Sequence, residues 1–141
     1  PHIDVFDEGG YTKEEWKMVR ETQKILHDDS IQITATTVRV PVFRSHSESI
    51  NVELHKELGV ADARRLLEEA PGIKVYDDPG EQEYPMPLVT TDDDRVWVGR
   101  IREDFTVPSG LNLWVVGDQI RNGAALNSVQ IAEELIRRNL V

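Results

Sequence analysis

Four side chains in this sequence are of the types that handle a small charged molecule. Arg39 and His46 lie seven residues apart in VRVPVFRSHSES, residues 38–49, and Glu14 and Lys17 lie three apart in TKEEWK, residues 12–17. A guanidinium presents a planar fork that matches a carboxylate. An imidazole titrates near neutrality and suits proton transfer. A glutamate and a lysine one helical turn apart share a face, offering a carboxylate to a cation and an ammonium to an anion. Each has an ordinary alternative. Glu14 and Lys17 read equally as a surface ion pair, worth little to stability, and Arg39 and His46 as a strand-end arginine and a surface histidine.

The elements around them decide what they can reach. In an unbroken strand an odd separation puts two side chains on opposite faces. Pro41 removes a ladder donor, and the polar RSHS run that follows is unlike a buried strand. A bend or bulge is therefore expected near Pro41, bringing Arg39 and His46 into one pocket. Upstream, Thr12 followed by Glu15 has the form of a capping box. It opens a helix over about Lys13–His27, with Trp16, Val19 and Leu26 in its apolar stripe.

The rest of the chain reads as an α+β domain with mostly local connections. Five strands are expected: Ile31–Val40, rich in β-branched residues, then SINVELHKE, IKVYD, RVWVGRIRED and LNLWVVGDQ. The turn TVPSG makes the last two antiparallel neighbours. Two further helices are expected, ADARRLLEEA and a closing helix over 123–138 whose apolar residues include Leu126, Val129, Ile131 and Leu135. DPGEQEYPMP reads as a loop. This gives a mixed, largely antiparallel sheet of about five or more strands with helices on one face.

The bulk composition narrows the partners. With 141 residues the chain has room for one core. Its net charge of −10 is wrong for gripping phosphate backbones or anionic membrane surfaces, so no nucleic acid and no membrane partner is expected. It has no cysteine, hence no disulfide, thiolate metal site or cysteine nucleophile of its own. No apolar run is long enough to span a bilayer, and a cytoplasmic location is expected. TDDDR, residues 91–95, lacks the spacing of a calcium loop and reads as a solvated turn. His2, His27 and His55 lack ligand spacing, so no metal is expected. Trp97 and Trp114 read as core or interface anchors.

Several long blocks carry a resemblance: PHIDVFDEGGYTKEEWKMVRETQKIL, ITATTVRVPVFRSHSESINVEL, YPMPL, VGRIRED and LNLWVVGDQIRNGAALNSVQIAEELI. In this order, nearly end to end, they resemble the C-terminal part of the aspartate-semialdehyde dehydrogenases. The resemblance implies a substrate-binding and dimerisation domain like the C-terminal domain of glyceraldehyde-3-phosphate dehydrogenase. It implies NADPH-dependent reductive dephosphorylation of β-aspartyl phosphate to aspartate β-semialdehyde, a step towards lysine, methionine, threonine and diaminopimelate. In that family a cysteine attacks the acyl phosphate, and the resulting thioester is reduced by hydride. By position His46 is the acid/base, Arg39 holds a substrate carboxylate, Glu14 the substrate amino group and Lys17 the phosphate. Asn127 is the candidate for a nicotinamide-side contact.

The catalytic cysteine and the family's nucleotide-binding half are not in this sequence. A thioester needs a thiolate and hydride transfer needs the nicotinamide. The chain alone is therefore expected to be inactive and to bind no NADP. It reads as a fragment that pairs with a missing N-terminal half and forms a homodimer through the sheet face. A free-standing binding or dimerisation module of the same fold is one alternative. A related acyl-phosphate reductase, such as the acetylglutamyl-phosphate enzyme, is another, although an acetylated amine carries no charge for Glu14 to pair.

Overall fold

Thr12 and Glu15 close a reciprocal cap at the start of the first helix. The Thr12 hydroxyl accepts from the Glu15 N–H at 3.2 Å, and Glu15 Oε2 accepts from the Thr12 N–H at 2.8 Å. Two of the helix's unpaired donors are satisfied in this way. Helix α1 runs over Lys13–Leu26 and ends on His27, which is left-handed at φ 54°. The computed structural model describes all residues from Pro1 to Val141 and divides into two compact units, Pro1–Pro41 and Val42–Val141.

In the first unit α1 carries the segment expected to be a strand over Ile31–Val40. Burial alternates residue by residue from Ile31 to Thr37, the period-two pattern of an extended chain. No strand forms there, however. Side chains of the α1 region hold the segment instead. Gln23 Nε2 donates to the Ile31 carbonyl at 2.9 Å, Tyr11 and Thr34 share a hydroxyl hydrogen bond at 3.0 Å, and Glu15 Oε1 accepts from the Thr37 N–H at 2.8 Å. β-branched composition favours the extended conformation, but a strand also needs a neighbouring backbone to complete its ladder.

The second unit is built on four strands, not five: β1 His46–Glu53, β2 Ile73–Val75, β3 Val96–Asp104 and β4 Gly110–Gly117. Their order is β1-β4-β3-β2. The β1–β4 and β3–β4 pairs are antiparallel and β2–β3 is parallel, so the sheet is mixed and largely antiparallel as expected. The TVPSG turn does join antiparallel neighbours. Helix α2, Val60–Glu69, packs on β2 and β3. Ala63, Trp97, Val98, Ile101, Leu111 and Val116 form the apolar core.

Strand β3 is interrupted by a bulge between Gly99 and Arg102. The two backbone N–H groups it frees, of Arg100 and Ile101, donate to the Asp77 carboxylate at 2.7 and 3.2 Å. Arg64 pairs with the same carboxylate at 2.5 Å. Gly99 has no room for a side chain, because a Cβ there would collide with the Tyr76 carbonyl and lie 2.5 Å from Pro85 Cδ. A short helix not expected from the sequence, α3 over Pro87–Thr90, follows the proline-rich loop. The closing element is a wide turn over Arg121–Ala125, then α4 over Leu126–Arg137, so the regular helix is shorter than the 123–138 expected. Gly123, at φ 110°, breaks the helical path inside that turn.

Candidate active site

On the first unit, Glu14 and Lys17 occupy successive turns of α1. Lys17 Nζ lies 3.4 Å from Glu14 Oε1, and the pair is partly open to solvent. The ordinary ion-pair reading is realised, and both groups remain accessible to a ligand that would exchange one partner for another. Arg39 is exposed and makes no hydrogen bond or ion pair within the chain, so its fork is free. Its approach is set two residues earlier, where Thr37 is tied to Glu15. The Thr12 and Thr37 backbone N–H groups together hold the Glu15 carboxyl below the usual glutamate range, against the opposing effect of burial.

On the second unit, His46 is the first residue of β1, directly opposite Gly117 of β4. Its ring is exposed and unpartnered. The strand therefore begins at the histidine rather than after the polar run, and Pro41 closes the preceding unit.

The residues just before His46 carry groups that the sequence reading did not single out. Arg44 Nη2 contacts Asp118 Oδ2 at 2.5 Å, and Arg44 Nη1 contacts Asp92 Oδ1 at 2.9 Å. Asp118 is fully buried and also accepts from the backbone N–H groups of Asp92 at 2.8 Å and Ile120 at 3.0 Å. Burial alone would push its carboxyl up. The Asp92 and Ile120 N–H groups and the Arg44 guanidinium outweigh that and hold it below the usual aspartate range. Ser45 is buried, with a left-handed φ of 74°, and its N–H donates to Gln119 Oε1 at 2.8 Å. No local pattern marks these contacts, since Arg44 and Asp118 are 74 residues apart.

The TDDDR turn is more than solvated acid. Asp92 pairs with Arg44, Asp93 with Arg95 at 2.8 Å, and Asp94 with Arg121. No group of acidic or histidine side chains is placed to hold a metal ion. Trp97 lies in the core, and Trp114 Nε1 donates to the Pro85 carbonyl at 2.8 Å. Asn127, half-buried at the start of α4, accepts from the Gly123 N–H at 2.9 Å through Oδ1. It lines an open groove of about 390 Å³ with Gln130, Ile131 and Glu134 among its neighbours. No helix is long and apolar enough to cross a membrane.

A family model described as semialdehyde dehydrogenase, dimerisation domain, matches residues 1–122. The chain belongs to this family. The dimerisation domain is 55% identical, over its full 141 residues, to the aspartate-semialdehyde dehydrogenase of Aquifex aeolicus, of which it covers 42%. Among solved structures it is similar to aspartate semialdehyde dehydrogenase II of Vibrio cholerae in complex with ASA. There the TM-score is 0.92 and the identity 46%, over 97% of this chain and 40% of that one. It is also similar to the Candida albicans aspartate semialdehyde dehydrogenase with NADP, at TM-score 0.72 and 26% identity, over 98% of this chain and 45% of that one. The chain thus spans about two-fifths of the length of the relatives it matches.

Proposed function

We propose that this chain is the substrate-binding and dimerisation part of an aspartate-β-semialdehyde dehydrogenase. The enzyme would catalyse NADPH-dependent reductive dephosphorylation of β-aspartyl phosphate to aspartate β-semialdehyde, in lysine, methionine and threonine biosynthesis. The observation that carries this reading is the 55% identity over the whole chain to an enzyme of that name. Residues 1–141 then form a fragment of the substrate domain. The closing segment 123–138 packs towards a nucleotide-binding half that also brings the cysteine nucleophile, which this sequence lacks.

The residues divide the work by charge. Arg39, free of internal partners, grips a substrate carboxylate with its planar fork. Glu14 takes the substrate ammonium and Lys17 the phosphate, each releasing the other from the 3.4 Å pair that they form without substrate. His46, exposed at the head of β1, gives and takes the proton at the reacting carbonyl.

Asn127 suits a nicotinamide contact. Its Oδ1 is occupied by the Gly123 N–H, which orients the side chain and leaves the amide nitrogen free to donate. When bound, NADPH supplies the hydride, and the residues of this chain supply orientation and proton transfer. The domain family supports a homodimer, which we assign to the sheet.

The test is an assay of the full-length protein that carries this segment. With aspartate β-semialdehyde, phosphate and NADP, formation of NADPH is expected, with no turnover by the 141-residue chain alone. Preference for an N-acetylglutamate-derived semialdehyde would overturn the substrate assignment. No phosphate-dependent reduction of NADP with either aldehyde would overturn the reaction.

A further inference from the structure

Asp118 is a buried carboxylate to which the proposed function gives no task. Burying a carboxylate is costly unless its oxygens are fully partnered. Those of Asp118 are met by Arg44 Nη2 at 2.5 Å, the Asp92 N–H at 2.8 Å and the Ile120 N–H at 3.0 Å. Arg44 is held from its other side by Asp92 Oδ1 at 2.9 Å. One carboxylate thus joins the chain entering β1, the turn before β3 and the chain leaving β4.

All of this is concentrated next to His46. The β1–β4 ladder ends with His46 opposite Gly117, so Ser45 and Asp118 are the first residues beyond it on the two chains. Ser45 does not continue the ladder. It is left-handed at φ 74°, a conformation unfavourable for a residue with a Cβ and retained only where the surroundings enforce it. The contacts on Ser45 itself are the Gln119 carboxamide on its N–H and the Thr90 hydroxyl, which donates to Ser45 Oγ at 3.1 Å, and Asp118 anchors the neighbours on both sides, being bonded to Arg44 and next in the chain to Gln119. A left-handed residue turns the chain sharply, so the dihedral at Ser45 sets the direction in which His46 leaves the backbone.

We infer that Asp118 is a positioning residue for His46, acting through Arg44 and the enforced left-handed turn at Ser45. This rests on the reading of His46 as the acid/base. Asp118 touches no reacting atom. It fixes the entry to β1 from one side while the Gly117 pairing fixes it from the other, and the exposed ring needs no partner of its own. A histidine aimed by its backbone can give up and accept a proton without losing an internal hydrogen bond.

The experiment uses the full-length protein with Asp118→Asn and Arg44→Gln, and Asp93→Asn as the control. Asp93 belongs to the same turn but pairs with Arg95, outside the Asp118 contacts. Steady-state kinetics and the NMR signal of the His46 ring are the readouts, with a thermal melt to establish folding. Both variants are expected to lose kcat by on the order of ten- to a hundredfold, as for a misplaced catalytic group. KM for the aldehyde should stay within about threefold of wild type, since Arg39 sets it. The His46 ring signal should move in both variants and stay in place in the control. Folded variants with unchanged kcat and an unchanged His46 signal overturn the inference. Equal losses in kcat and KM overturn it too. Should Asp118→Asn fail to melt cooperatively, Arg44→Gln, at a partly exposed side chain, decides alone. If the wild-type protein lacks the dehydrogenase activity, the functional reading fails separately, and the His46 signal then decides the positioning without reference to a reaction.

Discussion

Glu15 Oε1 accepts the backbone N–H of Thr37 at 2.8 Å while its Oε2 closes the cap of α1 on Thr12 at the same distance. One carboxylate thereby ties the helix bearing Glu14 and Lys17 to the segment bearing Arg39. These hydrogen bonds lower its folded-state pKa below the ordinary 4.5. A depressed folded value contributes stability that is fully present above the unfolded pKa and is lost as pH falls through the folded one. The first unit should therefore loosen only below about pH 4.5. Glu15→Gln should flatten that acid limb in a pH series of melting temperatures. An acid limb identical to wild type would remove Glu15 from this role.

Thr12→Ala breaks the same cap from the other side. Loss of an N-cap hydroxyl costs about 1 kcal/mol. The substitution should lower denaturant stability by about that amount while leaving the sheet intact, which far-ultraviolet circular dichroism and a urea titration would check.

Arg39 and His46 should separate kinetically in the full-length protein. Arg39→Ala removes a charge-assisted fork and should raise KM on the order of ten- to a hundredfold, with a smaller change in kcat. His46→Ala should lower kcat by roughly 10²–10⁴-fold at nearly constant KM. The reverse pattern would exchange or dismiss the two assignments.

Gly99→Ala should be poorly tolerated. The new methyl group would meet the Tyr76 carbonyl and sit 2.5 Å from Pro85 Cδ beside the β3 bulge. Overpacking of this kind costs roughly 1–3 kcal/mol. A melting temperature equal to wild type would mean that the Pro85 loop gives way easily.

A dimer is expected for the chain in solution, at twice its 16.1 kDa mass by light scattering. A constant 16.1 kDa across a wide concentration range would argue against the sheet as a sufficient interface.

What could be read in the sequence followed the range of the interactions. The Thr12–Glu15 box placed α1 because its signal spans three residues, and TVPSG placed the β3–β4 pairing because the turn chemistry is local. Ile31–Val40 was legible as extended but not as unpaired, since composition says nothing about whether a neighbouring backbone is present. Helix α3 was obscured by the prolines around it, although Pro87 at its first turn is a helix-opening signal in its own right. The Arg44–Asp118 contact was out of reach, because it depends on a register formed between β1 and β4. The candidate site residues were singled out by type and resemblance, and of the groups around them the Thr12–Glu15 cap was legible while the Arg44, Asp118 and Thr37 contacts emerged only from the fold.

The unpaired segment over residues 31–40 also writes a signature in amide exchange. Of its N–H groups only that of Thr37 has a hydrogen-bond acceptor within the chain. Deuterium should enter the neighbouring amides at rates near those of free peptide, while Thr37 alone resists. A single slow amide within a fast stretch, two residues from Arg39, would be the exchange signature of the Glu15–Thr37 hydrogen bond.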